Sequence, residues 1–458
     1  MSISSEIQRL QEAKKSINIA LLRRGIHIPS GDTLDKYAAL IDPITSGETI
    51  EYLDNPQGYL SFKFVTDGTV KWQNVKGDIE YSKNGGSTWT AFNGATVSAT
   101  TGDEIWFKGS LTGGCGADTE TSSSKFYTSG YFFASGNIQS LCGFYNTLQV
   151  YHFSYLFSKC SFLNIDENNK LLLPATTLAD SCYESMFKGC ASLTTAPKLP
   201  AATLANRCYY YMFQGCASLT TAPELPAATL ADYCYYYMFQ GCASLTTAPK
   251  LPATTLADSC YESMFRGCAS LTTAPELPAA TLANGCYYYM FQGCASLTTA
   301  PELPAATLAN SCYSYMFQGC ASLTTAPELP ATTLADSCYS FMFGDCASLT
   351  TAPELPAATL ANRCYYYMFQ GCASLTTAPE LPATTLATYC YSYMFQDCAS
   401  LNYIKAMFTT TPSTSYMSNW VNGVASSGTF VKNSAATWTS ECGVSTYPCN
   451  WAVETASA

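Results

Sequence analysis

Apolar and variable positions recur with one constant period over most of the chain. The unit L-P-A-[AT]-T-L-A-x-x-C-Y-x-x-M-F-x-x-C-A-S-L-T-T-A-P-[EK] begins at Leu173, begins again at Leu199, and occurs nine times up to Ala406 without an insertion. A degenerate copy precedes it at Tyr155–Leu163, and the pattern fades at Asn402–Ala406. Because the end units of a stacked array face water instead of a neighbour, atypical first and last copies are expected. The pattern therefore predicts a solenoid.

The first part of each unit predicts a short helix. On a wheel drawn at about 100° per residue, the apolar residues of the first unit share an arc of about 140°, and the polar residues fill the other side. These apolar residues are Cys182, Tyr183, Met186, Phe187 and Cys190. An amphipathic stripe of this kind favours one to three helical turns within residues 178–190, ended by Gly189.

The second part of each unit predicts a short strand. In the first unit it is Leu193–Ala196, and Pro197 and Pro200 confine it because proline cannot donate to a sheet ladder. Strand, turn, helix and return in register would stack the strands about 4.8 Å apart. The predicted fold class is thus an α/β repeat, a leucine-rich-repeat-like solenoid of short strands and short helices.

The run Y-x-x-M-F-x-G-C-A-S-L-T-T-A-P resembles the BspA-like class of leucine-rich repeats, which occurs in surface proteins of gut and oral bacteria and in proteins of their phages. The resemblance covers the nine units from Leu173 to Ala406, and the present unit is slightly longer than the commonest form. It implies the solenoid fold, and for function it implies binding or adhesion.

The residues outside the array predict three further segments. Apolar residues at helical spacing, with Gly25–Pro29 between them, predict a helical hairpin in residues 1–45. This hairpin resembles an element near the ends of phage tail and fibre proteins, although an ordinary capping hairpin explains it equally well. Alternating runs such as Tyr59–Val65 predict a small β-sandwich in residues 46–138. The solenoid would then occupy residues 139–406, and a β cap residues 407–458.

Composition narrows the classes of function. The net charge is −11, so the chain offers no basic face for nucleic acid. No run of 18 apolar residues predicts a membrane span, and the N-terminus lacks the apolar stretch of a secretory signal. We therefore expect synthesis in the cytoplasm and, from the N-terminal resemblance, a place in a phage tail. The alternative is a bacterial cell-surface adhesin.

Cysteine is abundant because 18 of the 23 cysteines occupy two positions that recur in every repeat unit and so form two columns. The spacing C-x7-C does not fit a structural zinc site, and on a helix it separates the thiols by about 12 Å, beyond the reach of a disulfide. We expect buried free thiols, with Cys442 and Cys449 a weaker pair that could be bridged. No metal site and no cofactor is predicted.

The repeats offer little for catalysis. They contain no histidine, and no nucleophile has a recognisable partner. A glycan-degrading enzyme, the third class considered, would need a clustered pair of carboxylates, which the pattern does not show. We expect no enzymatic activity.

Differences among the copies concentrate on the side of the unit predicted to face solvent, where tyrosine is frequent. Tyrosine gives recognition surfaces a large contact area at low entropic cost. The candidate binding residues are Tyr210, Tyr211, Tyr233, Tyr236, Tyr237, Tyr288, Tyr289, Tyr315, Tyr366, Tyr367, Tyr389 and Tyr393. Neutral variation on an exposed surface is the alternative explanation, and the uniform ladder of paired threonines (Thr194-Thr195 and its copies) is a rival surface. The expected ligand is a bacterial surface glycan or protein. Phage tail components are expected to bind through the N-terminal helices, and a homotrimer is considered as the assembly.

Overall fold

The computed structural model describes residues 58–144, 147–165, 170–439 and 441–456. The helical hairpin predicted for residues 1–45 lies outside these residues. Within them, regular helix is limited to a 3₁₀ turn at Ile138–Leu141 and one short α-helix, α1, at Thr414–Met417.

Two sheets form the part of the chain that precedes the repeats. The larger sheet has antiparallel neighbours in the order β8-β1-β6-β3-β4. Its strands are β1 (Leu60–Phe64), β3 (Ile79–Ser82), β4 (Thr90–Ala91), β6 (Glu104–Gly109) and β8 (Phe132–Asn137). The smaller sheet has the order β5-β2-β7, with β2 at Gly68–Gln73, β5 at Thr96–Ala99 and β7 at Lys125–Ser129.

Aromatic side chains join the two sheets. The ring of Phe126, on β7, lies 4.8 Å from that of Phe62 on β1 and 5.0 Å from that of Phe107 on β6. All three residues are fully buried. The alternation of apolar and polar residues along these strands, which places one face of each sheet inside, thus produces a sandwich core.

The larger sheet continues into the first coils of the repeat array. Two short strands, β9 (Leu163–Asn164) and β10 (Leu171–Leu172), pair with β8 in parallel register. Parallel pairing is the arrangement expected of successive coils, so the array begins by pairing with β8. The domain boundaries given above, at residues 45, 138 and 406, remain predictions.

The helix predicted for each unit is wrong. Residues 179–190 of the first unit form a chain of overlapping four-residue turns, in which the N–H groups of Cys182, Glu184 and Met186 each donate to the carbonyl three residues earlier. The alternate N–H groups, such as those of Tyr183 and Phe187, donate to carbonyls of the next unit at 2.9–3.0 Å. We call this segment the turn ribbon. Its backbone polar groups are satisfied half within the unit and half between units.

Every fourth residue of the turn ribbon has a left-handed backbone. In the first unit these are Ser181 (φ 53°), Ser185 (φ 55°) and Gly189 (φ 74°). The resulting period is four residues, so side chains point inward in pairs and outward in pairs. The inward pairs are Cys182-Tyr183 and Met186-Phe187, each at most 1% exposed.

The predicted buried residues are therefore confirmed although the predicted helix is not. A period of 3.6 and a period of 4 differ by about 10° per residue, which accumulates to about 80° between Cys182 and Cys190. The predicted apolar arc, about 140° wide, is wider than this difference, so it cannot separate the two. The spacing C-Y-x-x-M-F-x-x-C is compatible with both backbones over this short stretch.

Aromatic columns form the core of the array. The nine tyrosines from Tyr183 to Tyr391 stack ring over ring at 5.7–6.0 Å. The nine phenylalanines from Phe187 to Phe395 stack at 5.4–5.8 Å. Each ring contacts the copies above and below it, so a unit is stabilised mainly through its neighbours.

The repeat cysteines are buried and free, as predicted from the sequence. Those of the second column have a specific role: the Cys216 thiol donates to the Phe187 carbonyl at 3.2 Å, and the same bond recurs at 3.0–3.2 Å in every unit. A small side chain that is apolar yet can donate is what this position requires.

In place of the predicted strands, the units have isolated β-bridges formed by single threonine residues. Thr195, Thr221 and Thr247 pair with one another in parallel across successive units, and a second threonine column pairs likewise from Thr203. Two prolines follow each Thr-Thr pair, Pro197 and Pro200 in the first unit, and they prevent a longer ladder, as proposed from the sequence.

The end of the array is covered by the C-terminal residues. Strands β11 (Tyr403–Ala406), β12 (Thr429–Lys432) and β13 (Ala452–Thr455) pair in parallel, continuing the stacking direction. The Trp420 ring lies 6.2 Å from that of Tyr391 and 5.9 Å from that of Phe395, which closes both aromatic columns. A Cys442–Cys449 disulfide bridges the last loop.

Candidate binding face

The turn ribbon presents one aromatic surface along the array, which we call the aromatic face. It consists of the twelve tyrosines predicted from the sequence together with Phe341. Tyr233 and Tyr389 are exposed, at 41% and 39%, and the other members are half-buried. The structure therefore brings all twelve predicted residues to one side of the solenoid.

The half-buried members form two columns. In the first, Tyr210 stacks on Tyr236 at 4.7 Å, and Tyr288 and Tyr366 occupy the same position of later units. The second column contains Tyr211, Tyr237, Tyr289, Tyr315, Phe341, Tyr367 and Tyr393. From Tyr289 to Tyr393 its five rings stack without interruption at 4.2–4.4 Å.

Phe341 is the residue that the sequence analysis missed. Its ring lies 4.3 Å from Tyr315 and 4.3 Å from Tyr367, so it completes the second column. The candidate residues were chosen as tyrosines, so a phenylalanine at the same position was left out. Comparison of aromatic residues at the same position of every unit would have found it.

The second column lies on strained backbone. Its members occupy one of the left-handed positions of the turn ribbon, with φ of 55° at Tyr211 and 60° at Tyr393. A residue with a Cβ costs roughly 1–2 kcal/mol there. Ser185 and Ser263 occupy the same position in two units, so the fold does not require an aromatic residue. The large rings are therefore present at a position where the backbone favours a smaller residue.

The arginines of the repeats also lie on this face. The guanidinium groups of Arg207, Arg266 and Arg363 lie 4.6, 5.2 and 5.6 Å from the ring centres of Tyr210, Tyr289 and Tyr389. Cations over aromatic rings at these distances make favourable cation–π contacts.

Two carboxylates are placed among the rings, Glu184 at the start of the array and Glu262 in the fourth unit. Burial raises the pKa of Glu262, and hydrogen bonds to its carboxylate from Ser259 and Tyr236 partly offset this effect. Burial likewise raises the pKa of Glu184, against a hydrogen bond from Ser181 and the charge of Arg207. The two glutamates lie three units from one another, so they do not form a catalytic pair.

The threonine face is exposed and regular. Thr220, Thr221, Thr246 and Thr247 are all exposed. The threonines recur once per unit, and their side chains carry neither charge nor aromatic rings. This distinguishes the threonine face from the aromatic face.

No group of three or more histidine, cysteine, aspartate or glutamate residues within the described ranges could hold a metal ion. In the same part of the chain, no helix is long and apolar enough to cross a membrane.

A family model described as a BspA type leucine rich repeat region matches residues 131–298, 235–352 and 284–419. Together these overlapping matches span more than half of the chain. The chain belongs to the BspA-type leucine-rich repeat family. This family is a repeat family without enzymatic character, and membership is consistent with a surface adhesin or a protein-binding role.

The family assignment fits the geometry of the array, because the matched residues contain the stacked units and the whole aromatic face. No curated protein and no solved structure matches the chain.

Proposed function

We propose that this BspA-type protein is a non-catalytic receptor-binding or adhesion protein that uses the aromatic face to contact a bacterial surface glycan or protein. The observation that carries the proposal is the second aromatic column, which keeps large rings on left-handed backbone where serine is also accommodated. Backbone strain that is retained at a surface motivates a functional hypothesis.

The contact chemistry of the face supports the same proposal. Half-buried tyrosine rings that stack on their neighbours are already ordered, so a partner immobilises few rotatable bonds when it binds. Their hydroxyl edges and the nearby guanidinium groups add hydrogen-bond donors. Rigid aromatic anchors surrounded by polar groups are typical of binding surfaces.

The test is a fourfold replacement of Tyr210, Tyr236, Tyr288 and Tyr366 by serine. Serine occupies this position at Ser314, Ser340 and Ser392, so the array should remain folded. Anchors of this kind are worth roughly 2 kcal/mol or more each, so adherence of labelled protein to susceptible bacterial cells should fall by orders of magnitude.

The matched control changes the threonine face. Replacing Thr221, Thr247, Thr273 and Thr299 by valine alters four exposed side chains of similar size in the same part of the array. Adherence of this variant should match that of the unmodified protein. Normal adherence of the tyrosine variant, with loss of adherence in the threonine variant, would assign recognition to the threonine face.

For its location, we propose a phage tail, with the N-terminal residues attaching the protein to the particle. The N-terminal resemblance supports this, and the family supports the alternative, an adhesin on a bacterial cell surface. Antibodies raised against the solenoid distinguish the two by immunogold labelling. Labelled tails on purified particles support the first, and labelled cells without particles support the second.

A further inference from the structure

A pocket of about 430 Å³ lies at the C-terminal end of the aromatic face. Arg363, Tyr366, Tyr389 and Tyr393 line one side of it, and residues near α1 line the other. Its volume falls within the range of small-ligand sites, about 300–1,000 Å³.

The pocket forms because the C-terminal residues follow the array without copying it. The N–H groups of Tyr389 and Tyr393 donate to the carbonyls of Ser415 and Ser418 at 2.7 and 2.8 Å, as if these serines belonged to a further unit. Their side chains are short, however, so the place that a tyrosine or glutamate side chain takes in six of the nine units is open. Thr414 adds a third hydroxyl to this wall.

The cation and the short hydroxyls of the pocket lack strong partners of their own. Within the described ranges, the Arg363 guanidinium has no ion pair, and its side chain lies against the Tyr389 ring at 5.6 Å. The hydroxyls of Thr414, Ser415 and Ser418 make no hydrogen bond to another described residue. One cation, three short hydroxyls and the three tyrosines therefore face the same space, without an acidic residue in the lining.

The same four residues occur once more in the array, which shows what is special about the pocket. Arg207, Tyr210, Tyr233 and Tyr237 stand in the corresponding positions of the second and third units. There, burial opposes the cation, but a hydrogen bond to Tyr210 and the charge of Glu184 raise the pKa of Arg207. Arg207 thus already has an anionic neighbour, whereas Arg363 has none in the pocket lining.

From this arrangement we infer that the pocket binds a saccharide bearing an oxyanion, a carboxylate or a phosphate. The guanidinium supplies a charged fork that matches either anion. The tyrosine rings supply flat surfaces for a sugar ring, and the serine and threonine hydroxyls supply donors and acceptors for its hydroxyl groups. The inference deepens the proposed function, on which it rests, by naming the ligand class at one end of the same face.

The experiment measures binding of glucuronate, glucose 6-phosphate and glucose to the full-length protein by saturation-transfer NMR and calorimetry. Glucuronate or glucose 6-phosphate should bind, and the tighter of the two identifies the anion. Glucose should bind at least tenfold more weakly. Equal binding of all three sugars, or binding of none, would overturn the inference.

Three variants localise the effect. Arg363→Gln should weaken binding of the anionic sugar at least tenfold, and Arg363→Lys should restore part of it because the charge returns without the fork. Lys198→Gln removes the same charge from an exposed position of the first unit and should leave the affinity unchanged. Equal effects of Arg363→Gln and Lys198→Gln would show general charge screening and contradict a site in the pocket.

The sugar-binding results are obtained with all tyrosines in place, so they can be distinguished from the cell-adherence test, in which the pocket residue Tyr366 is also changed. If anionic sugars bind through Arg363 while the fourfold tyrosine variant adheres normally, the pocket stands and the proposed function fails. If the tyrosine variant loses adherence while no anionic sugar binds, the proposed function stands and the pocket assignment fails.

Discussion

Replacing serine by glycine distinguishes the turn ribbon from a helix, because the two structures predict opposite changes in stability. Ser311 and Ser337 have left-handed backbone, with φ of 53° and 57°. Gly285 occupies the same position one unit before Ser311, with φ of 58°. All three N–H groups donate to the next unit at 3.0 Å, so the backbone bonds are matched.

The magnitude follows from two opposing effects. Removing the Cβ at a left-handed residue relieves roughly 1–2 kcal/mol of steric cost. Glycine adds conformational freedom to the unfolded chain, which costs about 0.4–1 kcal/mol. The net gain is about 0.5–1 kcal/mol per site, so the double variant Ser311→Gly/Ser337→Gly should be more stable by about 1–2 kcal/mol. In a helix the same pair would cost about 1 kcal/mol, since glycine is the poorer helix former.

Urea denaturation followed by tyrosine and tryptophan fluorescence measures the change. The midpoint should rise while the slope of the transition stays constant, which marks a change in stability and not in the compactness of either state. The reciprocal variant Gly285→Ser should lower the free energy of unfolding by about 0.5–1 kcal/mol, and the urea midpoint should fall with it. A less stable double variant together with a more stable Gly285→Ser would refute the turn ribbon and restore the helix.

Three further predictions concern titratable groups whose pKa values are shifted. Burial shields the Cys216 and Cys234 thiols and raises their pKa to about 12. A thiol reagent should therefore label the repeat cysteines slowly in the native protein and fully in denaturant. Rapid labelling of the native protein would contradict the buried columns. Burial lowers the pKa of His152 to about 4, so the unfolded chain binds the extra proton between about pH 6.5 and 4 and stability should fall as the pH drops through that window. His152→Asn should flatten this part of the profile. Burial alone would raise the pKa of Glu120, but hydrogen bonds from Lys125 and Lys159 outweigh it and lower the pKa to about 2. Stability should therefore fall a second time as the pH drops from about 4.5 to 2, and Glu120→Gln should remove this loss.

The sequence determined the solenoid and its core by itself. A repeat of constant length without insertions allows each unit to contact only near-identical neighbours, so the same side chains must stack on one another. Tyr183, Phe187 and the two cysteine columns were therefore identified as buried from their constancy and spacing alone. The twelve tyrosines of the aromatic face followed from the variable positions by the same reasoning.

Only the tertiary structure decided the path of the backbone between those positions. Over the short stretch from Cys182 to Cys190 the apolar spacing suits a helix and a turn ribbon equally, and the choice depends on where the alternate N–H groups find acceptors. In a helix all bonds stay within the unit. Here the N–H groups of Tyr183, Ser185 and Phe187 reach the next unit, because stacked neighbours at close distance offer carbonyls in register. The acceptors lie almost a full unit further along the sequence, where a local pattern carries no information about them.

The C-terminal pocket has the same origin. Arg363 and Tyr389 are repeat positions, but Ser415 and Ser418 belong to no unit, and their sequence gives no sign that they stack on the ninth one. Their contact depends on how the chain returns after Ala406 to cover the exposed end of the aromatic columns, where Trp420 closes the core. Burial of that apolar end fixes the position of the serines, and only in the folded chain do they meet the arginine.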